Sequence, residues 1–247
     1  MPPRALTGFL IVATGLLAEA RIASGRGVRA IASGGDAERL ANEIDRAISD
    51  GGNGLLSFGL AGGLEPGLAA GSVLIATQVV SGDERFAPDD GWTQRLRVSL
   101  PEGLGRVMAG VDAPVASLPA KQALYALTGA AAVDLESHVA ARAAARAGVP
   151  FAALRAIADP AERALPPAAV VGMASDGRPA LGAVLRSLAH NPAQLRMLLR
   201  VAADARQGMA ALARCKRLLG ASFGLCVDDP CEILAVNRGI DVVVSRR

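Results

Sequence analysis

The sequence is poor in aromatic residues, histidine and cysteine. Phe, Trp and Tyr make up 3% of the 247 residues, and the chain has only two histidines and three cysteines. Structural zinc sites use closely spaced Cys and His ligands, whereas Cys215, Cys226 and Cys231 form no Cys-x-x-Cys pair. We therefore expect no metal site. An odd cysteine count without a disulfide framework is typical of a reducing compartment, so we expect a cytoplasmic protein.

Strong charge and long apolar runs are also missing. The net charge is only +3 and the basic residues are scattered, which argues against a nucleic-acid partner. No segment has the roughly 18 uninterrupted apolar residues that a membrane span needs. Residues 6–18, between Arg4 and Ala18-Glu19-Ala20, are typical of a secretory signal peptide. Residues 8–14 are also typical of a first core strand, and the sequence leaves both interpretations open.

The chain does contain alternating strand-like and helical patterns. Strands are predicted at residues 8–14, 28–32, 55–58, 73–80, 131–133 and 151–158, and helices at 36–49, 119–127, 136–147 and 191–219. Residues 81–91 are predicted to form a surface loop, and residues 240–244 a further strand. Such alternation favours one α/β domain, residues 1–247, around a mixed, mostly parallel sheet.

Two carboxylates stand at the edges of apolar elements. Glu136 opens the predicted helix 136–147 and shares a face with alanines, so it faces the packed side, where an unpaired charge is costly. A ligand hydroxyl could satisfy it, although the helix dipole alone also favours an acid there. Asp159 follows the strand 151–158, where ligands of open α/β sheets bind. The alternative for Asp159 is a turn residue before proline.

Two further features could belong to a ligand site. Glu19 follows the first predicted strand and turn, although a solvated helix-start residue would look the same. Residues 57–64 are glycine-rich and follow a strand, which allows a ligand to approach the backbone closely. They match neither a dinucleotide fingerprint nor a phosphate-binding P-loop, and their spacing alone favours a tight turn from strand to loop.

Taken in order, these segments resemble the nucleoside phosphorylase and nucleosidase superfamily, and most nearly its methylthioadenosine/S-adenosylhomocysteine nucleosidases. The segments are Glu19, Ser57-Phe58-Gly59-Leu60-Ala61-Gly62-Gly63-Leu64, Ala70-Gly71-Ser72-Val73, Asp134-Leu135-Glu136 and Arg155-Ala156-Ile157-Ala158-Asp159. A narrower resemblance, to hopanoid-associated phosphorylases, rests on residues 128–130, 133–137 and 159–161.

The resemblance implies a three-layer sandwich of helices around the sheet and an enzyme that cleaves the N-glycosidic bond of an adenosine-type nucleoside. The narrower resemblance implies adenosylhopane as substrate. The implied site consists of Asp159 as acid for the leaving base, Glu19 as base for water, Glu136 and Leu135 at the ribose, and Ala61 and Gly62 in the nucleophile or ribose loop. No cofactor is implied, and a homodimer is expected.

The sequence departs from the family at several positions. Leu135 stands where the family has Met, Ala158 stands where it has Ser, and no base-stacking aromatic is recognisable. Water or phosphate could be the nucleophile, with Arg21, Arg29 or Arg85 as phosphate ligands, either within one chain or across a dimer. A non-catalytic nucleoside- or lipid-binding protein on the same fold is the alternative function. The apolar composition predicts a cleft lined by apolar side chains that leads from the candidate acidic residues to solvent, with residues 160–169 at its rim.

Overall fold

The computed structural model describes residues 8–170, 186–187, 190–191 and 194–225. Its strands are β1 (Phe9–Thr14), β2 (Val28–Ala32), β3 (Gly52–Gly63), β4 (Val73–Ser81), β5 (Glu84–Phe86), β6 (Leu104–Gly110), β7 (Ala132–Asp134) and β8 (Phe151–Asp159). Its helices are α1 (Leu17–Ala23), α2 (Ala37–Ser49), α3 (Asp90–Ser99), α4 (Leu118–Thr128), α5 (Ser137–Ala147), α6 (Pro167–Val170) and α7 (Leu195–Leu219).

The long strand β3 organises the sheet. It runs parallel to β1 on one side and to β8 on the other, and β2 pairs with β1. Strand β8 pairs antiparallel with β4, β4 parallel with β6, and β6 parallel with β7. Gly62 and Gly63, at the end of β3, then pair with β7. Strands β3, β8, β4, β6 and β7 therefore close into a ring, from which β1 and β2 extend.

Helices cover both faces of the sheet. In β1, Ile11 and Ala13 pack in one buried cluster with residues of α2 and α5. Leu10 and Val12, which point the other way, pack in a second cluster with residues of α1, α3 and α7. This alternation is the two-residue period of a strand that is buried on both faces. The mixed, mostly parallel sheet between two helical layers confirms the predicted fold class.

Several local predictions are also confirmed. Residues 9–14 form β1, between β2 and β3 in the sheet, so the strand interpretation of the N-terminal apolar run holds. Helix α2 begins after Asp36, whose side chain accepts a hydrogen bond from the backbone N–H of Arg39. Such caps satisfy an N–H group that has no partner within the helix. Helix α4 ends at Gly129, which has a φ of 65°.

Other predictions were wrong. Residues 57–64, predicted to leave the strand in a turn, continue β3 as far as Gly63. They stay extended because β8 and β7 both pair with this part of β3. Residues 81–91, predicted as a loop, contain β5 and the start of α3. Strand β6 was not predicted, since its two glycines and Arg106 hide the apolar pattern.

Some predictions fall on other parts of the chain. Cys226, Cys231 and the predicted strand 240–244 lie outside the described residues, and the single-domain assignment of residues 1–247 stays a prediction. Within the described ranges, no helix is long and apolar enough to cross a membrane.

Candidate active site

All six residues that the sequence nominates lie around one cavity. It has a volume of about 210 Å³ and is found where β1, β3 and β8 reach their carboxyl ends, beside β7. The nominated residues in its wall are Glu19, Ala61, Gly62, Leu135, Glu136 and Asp159. In α/β proteins, ligands bind outside the carboxyl ends of the parallel strands, so the cavity is the candidate active site.

The rest of the wall is mainly apolar. It consists of Leu16, Leu60, Val111, Pro114, Val115, Val133, Ala158 and Leu165, together with Gly15 and Asp134. Leu165 comes from the predicted rim, residues 160–169. None of these described lining residues is aromatic, so they include no candidate for stacking on a base.

Glu19 is held by backbone N–H groups rather than by solvent. Its Oε2 accepts hydrogen bonds from Gly15 N at 2.9 Å and Leu16 N at 2.8 Å. Its Oε1 accepts from Leu60 N at 2.8 Å. Burial raises the pKa of Glu19, while the charge of Arg155 and these three N–H groups oppose the rise. A carboxylate so fixed is positioned to accept a proton from a small nucleophile in the cavity.

Arg155 links the acids on this side of the cavity. Its guanidinium is fully buried, with Nη2 3.0 Å from Asp134 Oδ1 and Nη1 3.2 Å from Glu136 Oε2. Its charge also acts on Glu19. Arg155, Asp134, Glu136 and Glu19 are called the Arg155 centre below. One cation faces three carboxyl groups, so the centre is negative when all three are ionised.

Glu136 occupies the N-cap position of α5, one residue before the first helical residue, but makes no capping bond. Asp134 binds the helix start instead, accepting from the backbone N–H groups of Glu136 and Ser137. Glu136 is therefore free to accept a hydrogen bond from Ser33 Oγ at 3.0 Å. Burial raises the pKa of Glu136 to about 7, against the charge of Arg155. The helix dipole alone does not explain these contacts.

Asp159, the last residue of β8, has a different partner. Its Oδ2 lies 2.5 Å from Nζ of Lys121, a buried residue of α4. Lys121 Nζ also donates to the backbone carbonyl of Pro160 at 3.0 Å. Burial raises the pKa of Asp159, whereas the charge and hydrogen bond of Lys121 lower it. Asp159 and Lys121 are called the Asp159 pair below.

Two glycines of β3 allow the acids to approach the strand. A Cβ atom at Gly59 would lie 2.7 Å from Arg155 Nη1 and 2.9 Å from the Glu19 carboxyl carbon. A Cβ atom at Gly62 would lie 3.3 Å from Asp159 Oδ1. A methyl group would clash at Gly59 and would be tight at Gly62, so the absence of a side chain explains these glycines better than a turn does.

The sequence contains Asp134 and Arg155 within the family-like motifs but does not point to Lys121. Arg155 interrupts an otherwise apolar strand, and a buried charge requires a partner, so that signal was present. Asp134 stands just before a helix, as capping residues do. Lys121 lies between polar and small residues in α4 and gave no such signal.

The arginines proposed as phosphate ligands do not line the cavity. Arg29 pairs with Asp50 at the surface, and Arg85 donates to the backbone carbonyls of Gly82 and Glu84. Arg21 is exposed. In the described part of the chain, no cluster of three or more His, Cys, Asp or Glu side chains could hold a metal ion.

Solved structures of nucleosidases share this fold. The 5′-methylthioadenosine/S-adenosylhomocysteine nucleosidase of Helicobacter pylori superposes with a TM-score of 0.59 at 16% identity, covering 86% of this chain and 98% of that one. The S-adenosylhomocysteine nucleosidase of Streptococcus pyogenes gives 0.57 at 15% identity, covering 85% and 97%. The futalosine hydrolase of H. pylori gives 0.55 at 18% identity, covering 62% and 88%. At these identities the likeness shows the fold alone.

The sequence comparisons identify the family. No curated protein sequence matches the chain. The family model described as the Phosphorylase superfamily matches residues 28–190, which is more than half of the chain and includes Glu136 and Asp159. The chain therefore belongs to the phosphorylase superfamily.

Proposed function

We propose that this protein hydrolyses the N-glycosidic bond of an adenosine-type nucleoside. The observation that carries the proposal is the gathering of Glu19, Glu136 and Asp159 around one apolar cavity at the carboxyl ends of the parallel strands. Glycosidic bonds break through an oxocarbenium-like state, in which a carboxylic acid gives its proton to the leaving group and an ionised carboxylate stabilises the positive charge or accepts a proton from water. Three acids in different surroundings can divide these tasks.

Each acid has one task in the proposed reaction. Asp159, protonated, gives its proton to N7 of the purine, and the C1′–N9 bonding electrons leave with the base. Glu19 takes a proton from a water molecule as the water oxygen bonds to C1′. Glu136 accepts hydrogen bonds from the ribose hydroxyls, beside Leu135. The products are adenine and the free sugar, and solvent returns the proton from Glu19 to Asp159.

The surroundings of Glu19 favour water over phosphate. The backbone N–H groups of Gly15, Leu16 and Leu60 converge on its carboxylate and are used by it. Such converging N–H groups are what a phosphate would otherwise bind. A phosphate would have to displace the carboxylate or stand next to it, and Arg155, the cation of this region, is already paired with two acids.

The apolar wall supports a substrate with a large apolar 5′ group. Leu16, Val111, Pro114, Val115 and Leu165 lie in the same cavity as the acids. Each buried methylene contributes about 0.8 kcal/mol, so a long apolar group would dominate affinity. Adenosylhopane, implied by the sequence resemblance, is the proposed substrate, and a homodimer is the proposed assembly.

Adenine release from a nucleoside series tests the proposal. Methylthioadenosine and adenosine analogues of increasing 5′ alkyl length are incubated with the enzyme, with and without inorganic phosphate, in ¹⁸O-labelled water. We expect adenine release that does not depend on phosphate, label at C1′ of the sugar, and a kcat/KM that rises with alkyl length. A sugar 1-phosphate would refute hydrolysis, and a steady fall in kcat/KM with chain length would refute the apolar substrate.

One observation favours the alternative of a non-catalytic binding protein on this fold. The ammonium of Lys121 beside Asp159 favours the ionised carboxylate, which cannot protonate a leaving base. Calorimetry with the same analogues separates the two functions. Tight binding without any adenine release would select the binding protein, whereas release that is lost in Asp159→Asn would select the enzyme.

A further inference from the structure

Lys121 is an unusual residue in the described fold. Helix α4 buries a single side chain, and that side chain is Lys121, which is 1% exposed. Its Nζ reaches three oxygen atoms: Asp159 Oδ2 at 2.5 Å, the carbonyl of Pro160 at 3.0 Å and the carbonyl of Asp159 at 3.4 Å. An ammonium group has three donors, so each can be used.

Packing does not explain a lysine at this position. Taking an ammonium out of water costs several kcal/mol, and a buried ion pair often stabilises a fold no better than apolar side chains of similar volume would. A helix that needed only an anchor to the sheet would be served by leucine. The charge of Lys121 is therefore more simply explained by what it does to Asp159.

The geometry of the Asp159 pair assigns different surroundings to the two carboxyl oxygens. Oδ2 is taken by Lys121. The side-chain hydrogen bond of Lys121 goes to Oδ2 and not to Oδ1, and Asp159 lines the cavity. Both carboxyl oxygens lie 3.3–3.4 Å from the position that a Cβ atom at Gly62 would take. Lys121 itself does not line the cavity. Its effect on a ligand in this cavity therefore passes through Asp159, whose carboxylate it binds.

We propose that Lys121 is a positioning residue that holds Oδ2 of Asp159, leaves Oδ1 for the substrate, and sets the pH above which Asp159 loses its proton. The inference rests on the proposed function, in which Asp159 is the acid. Lys121 keeps the proton of Asp159 labile enough to be given up, because burial by itself would hold that proton to a much higher pH.

Other charged groups near Asp159 are few among the described residues. Asp204, on α7, raises the pKa of Asp159 and is itself paired with Arg163. Glu162 accepts a hydrogen bond from Gly67 N and is exposed. Lys121 is the group whose charge and hydrogen bond lower the pKa of Asp159, so its removal has a predictable direction.

The test compares Lys121→Met with Gln122→Met, a control at the next, exposed position of α4. Two quantities are measured: the pH dependence of kcat and the ¹³C NMR titration of the Asp159 carboxyl, assigned by its absence in Asp159→Asn. An opposite charge this close typically lowers a carboxyl pKa by about 1–3 units. In Lys121→Met we therefore expect the high-pH limb and the titration both to move up by about one pH unit or more, and in Gln122→Met neither to move.

The outcomes separate the inference from the proposed function. A reduced kcat in Lys121→Met with an unmoved limb and titration would make Lys121 a structural brace and overturn the inference. A titration that moves while no variant or wild type releases adenine would support the pairing and overturn the proposed function. If Lys121→Met does not fold, Lys121→Gln keeps a donor to Oδ2 without the charge, and the same criteria apply.

Discussion

The Arg155 centre and the Asp159 pair lie on the same cavity, and both are buried, but their charge balance differs. The first sets one guanidinium against Asp134, Glu136 and Glu19. The second sets one ammonium against one carboxylate. When its three carboxyl groups are ionised, the Arg155 centre carries an excess of negative charge on the side proposed for the ribose and the nucleophile, where positive charge develops when the glycosidic bond breaks. The balanced pair contains the proposed proton donor.

This difference explains how one cavity can hold acids with separate roles. In the Arg155 centre, neighbouring carboxylates as well as burial raise the pKa of Glu136. In the Asp159 pair, the neighbouring cation works against burial. Mutations that remove one member of either group should therefore have effects of different kinds.

The largest effect should follow Arg155→Met. Three buried carboxyl groups would lose their cation, and breaking a buried ion pair typically costs about 3–5 kcal/mol. We expect the free energy of unfolding in urea to fall by at least this much, or the protein not to fold. Arg146→Met, which removes an exposed pair with Asp45, is the matched control and should change little. An equal loss of unfolding free energy in the two variants would show that Arg155 stabilises the fold no more than an exposed ion pair does.

Asp159→Asn should keep the fold and lose turnover. Asparagine has the shape of aspartate but cannot deliver a proton, and general acid catalysis typically contributes about 10²–10⁴-fold. Steady-state adenine release measures the loss, with Asp45→Asn as a surface control. A folded Asp159→Asn protein with nearly full kcat would remove Asp159 from its proposed role.

Glu136→Gln should distinguish ribonucleosides from their 2′-deoxy counterparts. A hydrogen bond to a charged group contributes roughly 1.5–3 kcal/mol, and the deoxy compound cannot make it. We expect kcat/KM to fall strongly for the ribonucleoside and little for the deoxynucleoside. If both fall equally, Glu136 does not contact the ribose hydroxyl.

Glu136 should also make stability depend on pH. Its pKa is raised from 4.5 in the unfolded chain to about 7 in the folded protein, so between these values the folded state binds more proton. Its contribution to the free energy of unfolding is complete below pH 4.5 and is lost as pH rises through about 7, by up to about 1.4 kcal/mol per pH unit. Urea unfolding of Glu136→Gln should show a smaller decline over this range than wild type. The same decline in both proteins would contradict the expectation.

The smallest effect is expected for Gly62→Ala. The added methyl group would stand 3.3–3.4 Å from the oxygens of Asp159, and a small side-chain displacement costs roughly 0.5–1.5 kcal/mol. We expect kcat to fall roughly two- to tenfold with at most a small loss of thermal stability. Gly59→Ala places its methyl group against Arg155 and Glu19, at 2.7–2.9 Å, and should destabilise the fold more. A larger loss of stability in Gly62→Ala than in Gly59→Ala would mean that the Arg155 centre accommodates an added methyl group more easily than the Asp159 pair does.

The sequence predicted those structural features that depend only on residues close together in the chain. Helix α2 was found with its Asp36 cap, because a cap and a regular apolar spacing lie within a few residues of each other. The extension of β3 through Gly62 and Gly63 was missed because it depends on β7, which is distant in sequence. Glycine favours a turn unless partner strands hold it extended.

The same limit applies to the candidate site. The nominated acids were found from motifs at strand and helix ends, and the structure brings them to one cavity. Their partners were harder to see. Arg155 can be recognised in the sequence because it is a charged residue within an apolar strand. Lys121 is buried only because α4 lies against Asp159 and Pro160. A lysine on a mostly exposed helix carries no local sign of that contact.

The closed ring of strands has a consequence for how the protein reaches its native state. The hydrogen bond from Arg155 Nη2 to Ser57 Oγ joins residues that are 98 positions apart in the sequence. The hydrogen bond from Ser33 Oγ to Glu136 joins residues that are 103 positions apart. Folds dominated by such distant contacts fold slowly, since long loops must close before these contacts can form. The cavity should therefore be among the last parts to form, and a nascent chain that has not yet reached β8 would hold Glu19 without Arg155 to balance it.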